Sequence, residues 1–223
     1  MKKNIIKTLL LAVVMTLSSC NEDIEIWDSN TLDYSGTYFW ELYNEDMTSN
    51  LVAYDHDVQL LIYNTAENIS NEVWMEDTDG IFPFKSKFSL EGTSSAFESK
   101  STTFADLDNN VLAITNPSTK PTALGQEVIE DRDYIRNTIL EGKILPDAAT
   151  TVSGNPVDSL YIKIKLYSGT VKFTSKAVPV ELRADPEVEE FAWEYNSVTY
   201  DNSKDETYVI SGHRKTGFAA DDH

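Results

Sequence analysis

From Asp33 onward the dominant pattern is apolar and polar residues alternating at period two, the mark of strands buried on one face. The clearest stretch is Ser159-Leu-Tyr-Ile-Lys-Ile-Lys-Leu-Tyr167. Leu160, Ile162, Ile164 and Leu166 point to one side; Tyr161, Lys163, Lys165 and Tyr167 point to the other. Ser168-Gly169 then reads as a turn into Val171-Lys-Phe-Thr174, a short-loop hairpin by its spacing. Pro179 interrupts this second strand or begins another, because proline cannot donate to a central ladder. The same reading gives strands over Gly36–Asn44, 52–63, 72–75, 82–90, 96–104, Phe191–Tyr200 and 206–218. Eight to ten strands with mostly short connections predict one all-β antiparallel domain, closed as a barrel or packed as a sandwich.

The stretch 105–158 departs from this pattern and holds four of the seven prolines. Within it Leu124, Val128, Ile135 and Ile139 stand close to helical spacing across 122–142. Gly142 fits a helix C-terminus and Pro146 a stop beyond it. The spacing predicts one short mid-chain helix inside a long excursion, and excursions of that length tend to be lids or binding loops. No internal repeat and no low-complexity segment is present.

The N-terminus changes the picture of where the chain resides. Met1 to Lys7 carries three lysines and Ile5 to Leu17 is almost continuously apolar. That run is too short for a bilayer of roughly 30 Å and fits the h-region of a signal peptide. It ends in Leu17-Ser18-Ser19-Cys20, which resembles the bacterial lipobox, where the cysteine carries a diacylglycerol and becomes the new N-terminus. The alternative is an ordinary cleavable signal with a stray cysteine. Cys20 is the single cysteine, so no internal disulfide can form and stability must come from the core. Two or three acyl chains of palmitate type, at about 0.8 kcal/mol per buried methylene, would make anchoring permanent. Asn21-Glu22-Asp23-Ile24-Glu25 resembles the surface-export signal of Bacteroidetes lipoproteins, or is a solvated acidic tether. The organisation expected is a signal peptide over 1–19, a lipidated N-terminus and acidic tether over 20–32, and a β-barrel domain over 33–223 with the loop and helix excursion at about 105–158. The expected location is the outer membrane by lipid anchor, periplasmic or surface-facing.

Charge then excludes one class of partner. The formal net charge is −19; removing 19 residues that carry three lysines and no acid leaves 204 residues at −22. Such a chain does not bind nucleic acid or anionic headgroups through general electrostatics. Hydrophobic residues at 41% and aromatics at 11% suffice for a packed core.

Candidate chemistry is sparse. There is no Gly-x-Ser-x-Gly; Ser153-Gly154 and Ser211-Gly212 each supply half. The histidines are His56, His213 and the terminal His223. In Asp55-His56-Asp57, strand alternation would send both carboxylates to the face opposite the ring. Zinc would need three or four converging ligands, and two usable histidines lie far apart. Asp106-Leu107-Asp108-Asn109-Asn110 begins like a calcium loop, but its sixth position is Val111 and its twelfth Pro117. Glu76-Asp77-Thr78-Asp79-Gly80 is shorter still. No catalytic set, metal site or cofactor is assigned. A pair of glycosidase carboxylates can be neither localised nor dismissed among 37 acids.

Aromatic residues carry more information. In Gly36-Thr-Tyr-Phe-Trp-Glu-Leu-Tyr43, Tyr38, Trp40 and Leu42 share one face, and Phe39 and Tyr43 the other. Phe191, Trp193 and Tyr195 make a second aromatic face. Two readings stand side by side: filling for a large core, or the wall of a ligand pocket.

Gly36-x-Tyr38 is similar to the Gly-x-Trp opening of lipocalins and other calycins, and Arg214 is placed as the family arginine that covers that ring and closes the barrel. Ile210-Ser-Gly-His-Arg-Lys-Thr-Gly-Phe218 followed by Asp221-Asp222, together with the lipobox, resembles the Bacteroidetes "lipid-binding putative hydrolase" lipoproteins. The resemblance implies a calycin-like barrel and lipid binding, and it brings no catalytic motif with it. The function expected is a lipid-anchored barrel holding an apolar or amphipathic small molecule, with Tyr38, Trp40, Trp193, Tyr195 and Arg214 at the pocket or barrel closure. Its competitors are a filled barrel acting as an interaction module, a glycan-handling accessory whose tryptophans stack on sugars, and a hydrolase using His56 or His213.

Overall fold

The computed structural model describes residues 29–80, 85–108 and 115–221. They form ten strands in a single antiparallel sheet: β1 Gly36–Asn44, β2 Asn50–Val52, β3 Gln59–Asn64, β4 Glu72–Asp77, β5 Lys85–Thr93, β6 Ala96–Ser99, β7 Glu127–Thr150, β8 Pro156–Ala177, β9 Phe191–Tyr200 and β10 Glu206–Arg214. Neighbours run β10-β1-β3-β4-β5-β6-β7-β8-β9, and a further β10–β8 pairing closes eight of the strands into a ring. The all-β barrel expectation is met by this ring, although it is not a regular barrel. β2 attaches to β1, and β9 attaches to β8 outside the ring.

The inward positions follow the alternation. Tyr38, Trp40 and Leu42 of β1, Leu60 and Ile62 of β3, Val73 and Met75 of β4, and Phe88 and Leu90 of β5 join Leu160, Ile162, Ile164, Leu166 and Ile210 in one buried cluster. Tyr34 and Phe97 belong to the same cluster and meet edge to face at 5.3 Å. The cluster occupies the interior, so this is a core in the sense of close-packed side chains.

The two longest strands contradict the sequence reading. No α-helix occurs among the described residues, and 127–150 is strand β7. Steps of four residues satisfy both periods, so Leu124/Val128 and Ile135/Ile139 were ambiguous. The odd step from Val128 to Ile135 is compatible with helical spacing, whereas a regular strand would change face there. A bulge absorbs it: register shifts between Arg132 and Arg136, with Tyr134 at φ 61°. Gly142 is no helix end; a Cβ there would overlap the Phe97 ring, so the glycine admits that ring to the core. The turn expected at Ser168-Gly169 is also absent, because β8 runs straight through it. Gly169 serves close approach instead: its missing Cβ makes room for the Thr199 carbonyl of β9. The strand expected over 52–63 is divided into β2 and β3 by a loop that carries Asp55-His56-Asp57.

β8 changes its buried face on the way. From Leu160 to Leu166 the even positions are buried; from Val171 to Ser175 the odd ones are. Residues 127–132 of β7, 169–177 of β8 and all of β9 therefore form a three-stranded wing beyond the ring, whose apolar side continues the barrel's outer surface. Ile135, Val171 and Phe173 are its core, with Phe104, Val128, Trp193 and Val198 against them. Residues 29–35, which lead into β1, lie at the start of β8, and the wing lies at its other end.

Candidate functional site

Two groups emerge from the five aromatic and basic residues singled out by sequence. Tyr38, Trp40 and Arg214 are together; Trp193 and Tyr195 are on the wing.

The first group closes the barrel. The Arg214 guanidinium lies over the Tyr38 ring at 5.1 Å from its centroid. Its Nε donates to Asp158 Oδ2 at 2.9 Å, and its terminal nitrogens donate to the carbonyls of Ser35 and of Asp33. A Cβ at Gly36 would stand 2.6 Å from Arg214 Nη1, so the glycine of the Gly-x-Tyr motif is the space this arginine occupies. Tyr38 donates its hydroxyl to the Tyr34 carbonyl at 2.9 Å. Burial pushes its pKa up to about 12 against the opposing pull of Arg214, so the phenol stays neutral. Tyr38 and Trp40 are fully buried, and Trp40 Nε1 has no hydrogen-bond partner among the described residues. These residues are core and latch, and none of them lines the groove on the wing or the opening at the β6–β7 seam.

The second group borders a groove of about 680 Å³. It is lined by Phe191, Ala192 and Trp193 of β9, by Pro117, Lys120 and Pro121 from the segment before β7, and by Val178, Leu182, Ala184, Glu189 and Glu190 from the β8–β9 connection. The segment before β7 is pinned by polar contacts to the wing. Trp193 Nε1 donates to the Thr119 carbonyl at 2.5 Å, and Ser175 Oγ donates to the Ala123 carbonyl at 2.6 Å while accepting from the Gln126 amide. In the β8–β9 connection, Arg183 Nε donates to the Val178 carbonyl and the Ala184 amide to Glu190 Oε1. Leu182 is 72% exposed, and Leu124, Val180 and Val188 are also exposed on this side of the molecule. Tyr195 is next along β9 but lies outside the lining. A second opening of about 540 Å³ lies at the seam where β6 and β7 share the single pair Phe97–Gly142, and it is lined by the charged Glu91, Glu98, Glu141 and Lys143 together with Ala96, Phe97 and Leu140.

The histidines are placed differently from expectation in one respect. Residues 53–57 are not strand, so both flanking carboxylates reach the His56 ring: Asp55 to Nδ1 and Asp57 to Nε2, each at 3.2 Å. All three are exposed. His213 stacks on Tyr54 at 6.0 Å and meets Phe39 edge to face at 5.7 Å, with Nδ1 against the Arg214 carbonyl. Among the described residues neither histidine hydrogen-bonds to a serine, so the serine–histidine–carboxylate geometry is absent from both. Glu76 is occupied by Lys85 and the Tyr63 hydroxyl, and Asp79 accepts from the Gln59 amide, so these acids serve turns and ion pairs. Trp40, Trp74 and Trp193 lie on three separate strands, and Trp40 is fully buried. Cys20, Trp27, Asn109, Asn110 and His223 lie outside the described residues.

Two features were missed by sequence reasoning. Pro117 and Pro121 are buried in the groove lining, and only their presence in a proline-rich stretch hinted at it. Asp221 is buried and accepts from Ser153 Oγ, Thr216 Oγ1 and Asn155 Nδ2, tying the C-terminal segment to the β7–β8 turn. Those hydrogen bonds, Ser153 first, hold its carboxyl well below the usual carboxylate range.

A family model described as "lipid-binding putative hydrolase" matches residues 23–219. No curated protein matches the chain.

Proposed function

Because the chain belongs to the "lipid-binding putative hydrolase" family, we propose that it is an outer-membrane lipoprotein, anchored through Cys20, that binds one apolar or amphipathic lipid-like molecule in the wing groove. The observation that carries the location is the contrast between the two aromatic groups. Inward-facing side chains from around the ring pack together in the barrel, whereas Phe191 and Trp193 line an open groove. Its volume falls in the roughly 300–1,000 Å³ range of small-molecule sites. Eight of its thirteen lining residues are apolar and five are polar or charged, a mixture that suits an amphipathic molecule. Lys120 against Glu189 and Glu190 suits a zwitterionic or uncharged head better than a strongly anionic one. The groove lies at the opposite end of β8 from the segment 29–35, so an anchor upstream of that segment leaves the groove turned away from the tether.

The test is fluorescence of the mature chain titrated with a brominated fatty acid, compared with Trp193→Phe. Bromine seated in the groove quenches Trp193, so the parent loses intensity saturably and the variant loses much less. Equal quenching in both would place the ligand elsewhere.

A further inference from the structure

We propose that the outer edge of β9 is a docking site for an extended, basic segment of a partner protein, added to the wing as a further strand. Ring closure pairs the barrel strands with neighbours on both sides, loosely at the seam where β6 and β7 share the single pair Phe97–Gly142, and β2 is only three residues long. The wing keeps two edges. On β7, residues 127–132 hold Glu127, Glu130, Asp131 and Arg132, a density of charge that protects an edge from pairing. β9 has the opposite character. Its ten residues contain no proline, no lysine and one charge, Glu194, which Lys176 engages from the neighbouring strand. Among the described residues β9 pairs with β8 and with no other strand.

A bulge at Asn196, where the β8–β9 register shifts between Lys172 and Phe173, leaves residues 191–195 as the continuous stretch nearest the groove. A strand added there gains main-chain hydrogen bonds along the edge, and its alternate side chains fall beside Trp193 and Tyr195, the latter 39% exposed. Charge selects the occupant. The adjoining connection 181–190 carries Glu181, Asp185, Glu187, Glu189 and Glu190 against Arg183, within a chain of net charge −19. A second copy brings the same negative field to the edge, whereas a segment alternating apolar and basic residues answers both the apolar face and the acidic surround.

The experiment uses the mature chain and a labelled synthetic peptide of about seven residues alternating lysine and valine, with fluorescence anisotropy for binding and amide hydrogen exchange for location. The expected result is saturable binding, slowing of alternate β9 amides by about tenfold or more, and loss of binding by about tenfold when alternate peptide nitrogens are methylated. Tyr195→Lys, a surface change on the edge, reduces binding to a similar degree. Equal binding of the methylated peptide, protection outside β9, or concentration-dependent self-association through β9 with no peptide binding would each overturn the proposal.

Discussion

Arg214→Ala tests the barrel latch. The arginine loses its position over the Tyr38 ring, worth about 0.5–2 kcal/mol in comparable settings. It also gives up charge-assisted hydrogen bonds to the carbonyls of Ser35 and Asp33, each of the class worth about 1.5–3 kcal/mol when well formed. The Asp158 pair is more than a quarter exposed on both sides, so it adds about 0–1 kcal/mol. Because the 3.4 Å bond to Asp33 is long, the expected total is about 2–4 kcal/mol. For a domain of this size that is about 6–12 °C in melting temperature. Urea unfolding of residues 21–223, followed by tryptophan fluorescence and by far-ultraviolet circular dichroism, reads the loss as a lower midpoint with unchanged slope. A double-mutant cycle with Tyr38→Leu isolates the ring contact, with a coupling of about 1 kcal/mol. Arg214→Lys keeps charge but not the planar fork, so it recovers less than half of the loss. A deficit below about 0.5 kcal/mol in the alanine variant, or full recovery with lysine, would refute the latch.

Further outcomes follow from other sites. Trp193→Asp places a charge in the groove lining and weakens lipid binding by about tenfold or more while leaving the urea midpoint of the barrel nearly unchanged; ligand titration and unfolding on the same sample check both. Gly142→Ala forces a Cβ into the Phe97 ring and costs about 1–3 kcal/mol or more, read by thermal unfolding. Gly169→Ala collides with the Thr199 backbone and loosens β9 from β8, so Trp193 fluorescence shifts to the red and amide exchange quickens in 191–200 before the barrel melts. The Asp221 carboxyl is lowered in the folded chain, so its contribution to stability is present above the ordinary value of 3.8 and is lost as pH falls below it. Asp221→Asn therefore makes the unfolding midpoint fall less than the parent's as pH drops below about 4.

Strand content was legible wherever alternation was clean: β1, β9 and the first half of β8 stand where the pattern put them. What escaped was the effect of single odd steps. The bulge between Arg132 and Arg136 adds two residues to β7 and lets Ile135 join the cluster that holds Val128, while β8 keeps its alternation and only changes which face is buried between Leu166 and Val171; in sequence, such odd apolar steps imitate a helix or a turn. Gly142 and Gly169 compounded this, because sequence cannot distinguish a glycine that turns the chain from one that admits a neighbouring ring or carbonyl. The latch was readable, since Gly36, Tyr38 and Arg214 meet as the family resemblance implied. The groove was not. Trp193 belonged to the aromatic set, but its separation from Trp40 depends on β9 leaving the ring. The pairing of His56 with both neighbouring aspartates escaped for the same reason: it depends on a loop where alternation suggested a strand.

The central claim is that this chain carries a lipid-like molecule in the wing groove while the barrel stays filled. Native mass spectrometry of residues 21–223, purified from cells with and without added lipid extract, tests it most directly when Trp193→Asp is run beside the parent. The account predicts a reproducible mass increment on the parent, identified by extraction and fragmentation, and a bare chain for the variant. The same increment on both proteins, or none on either, would contradict it.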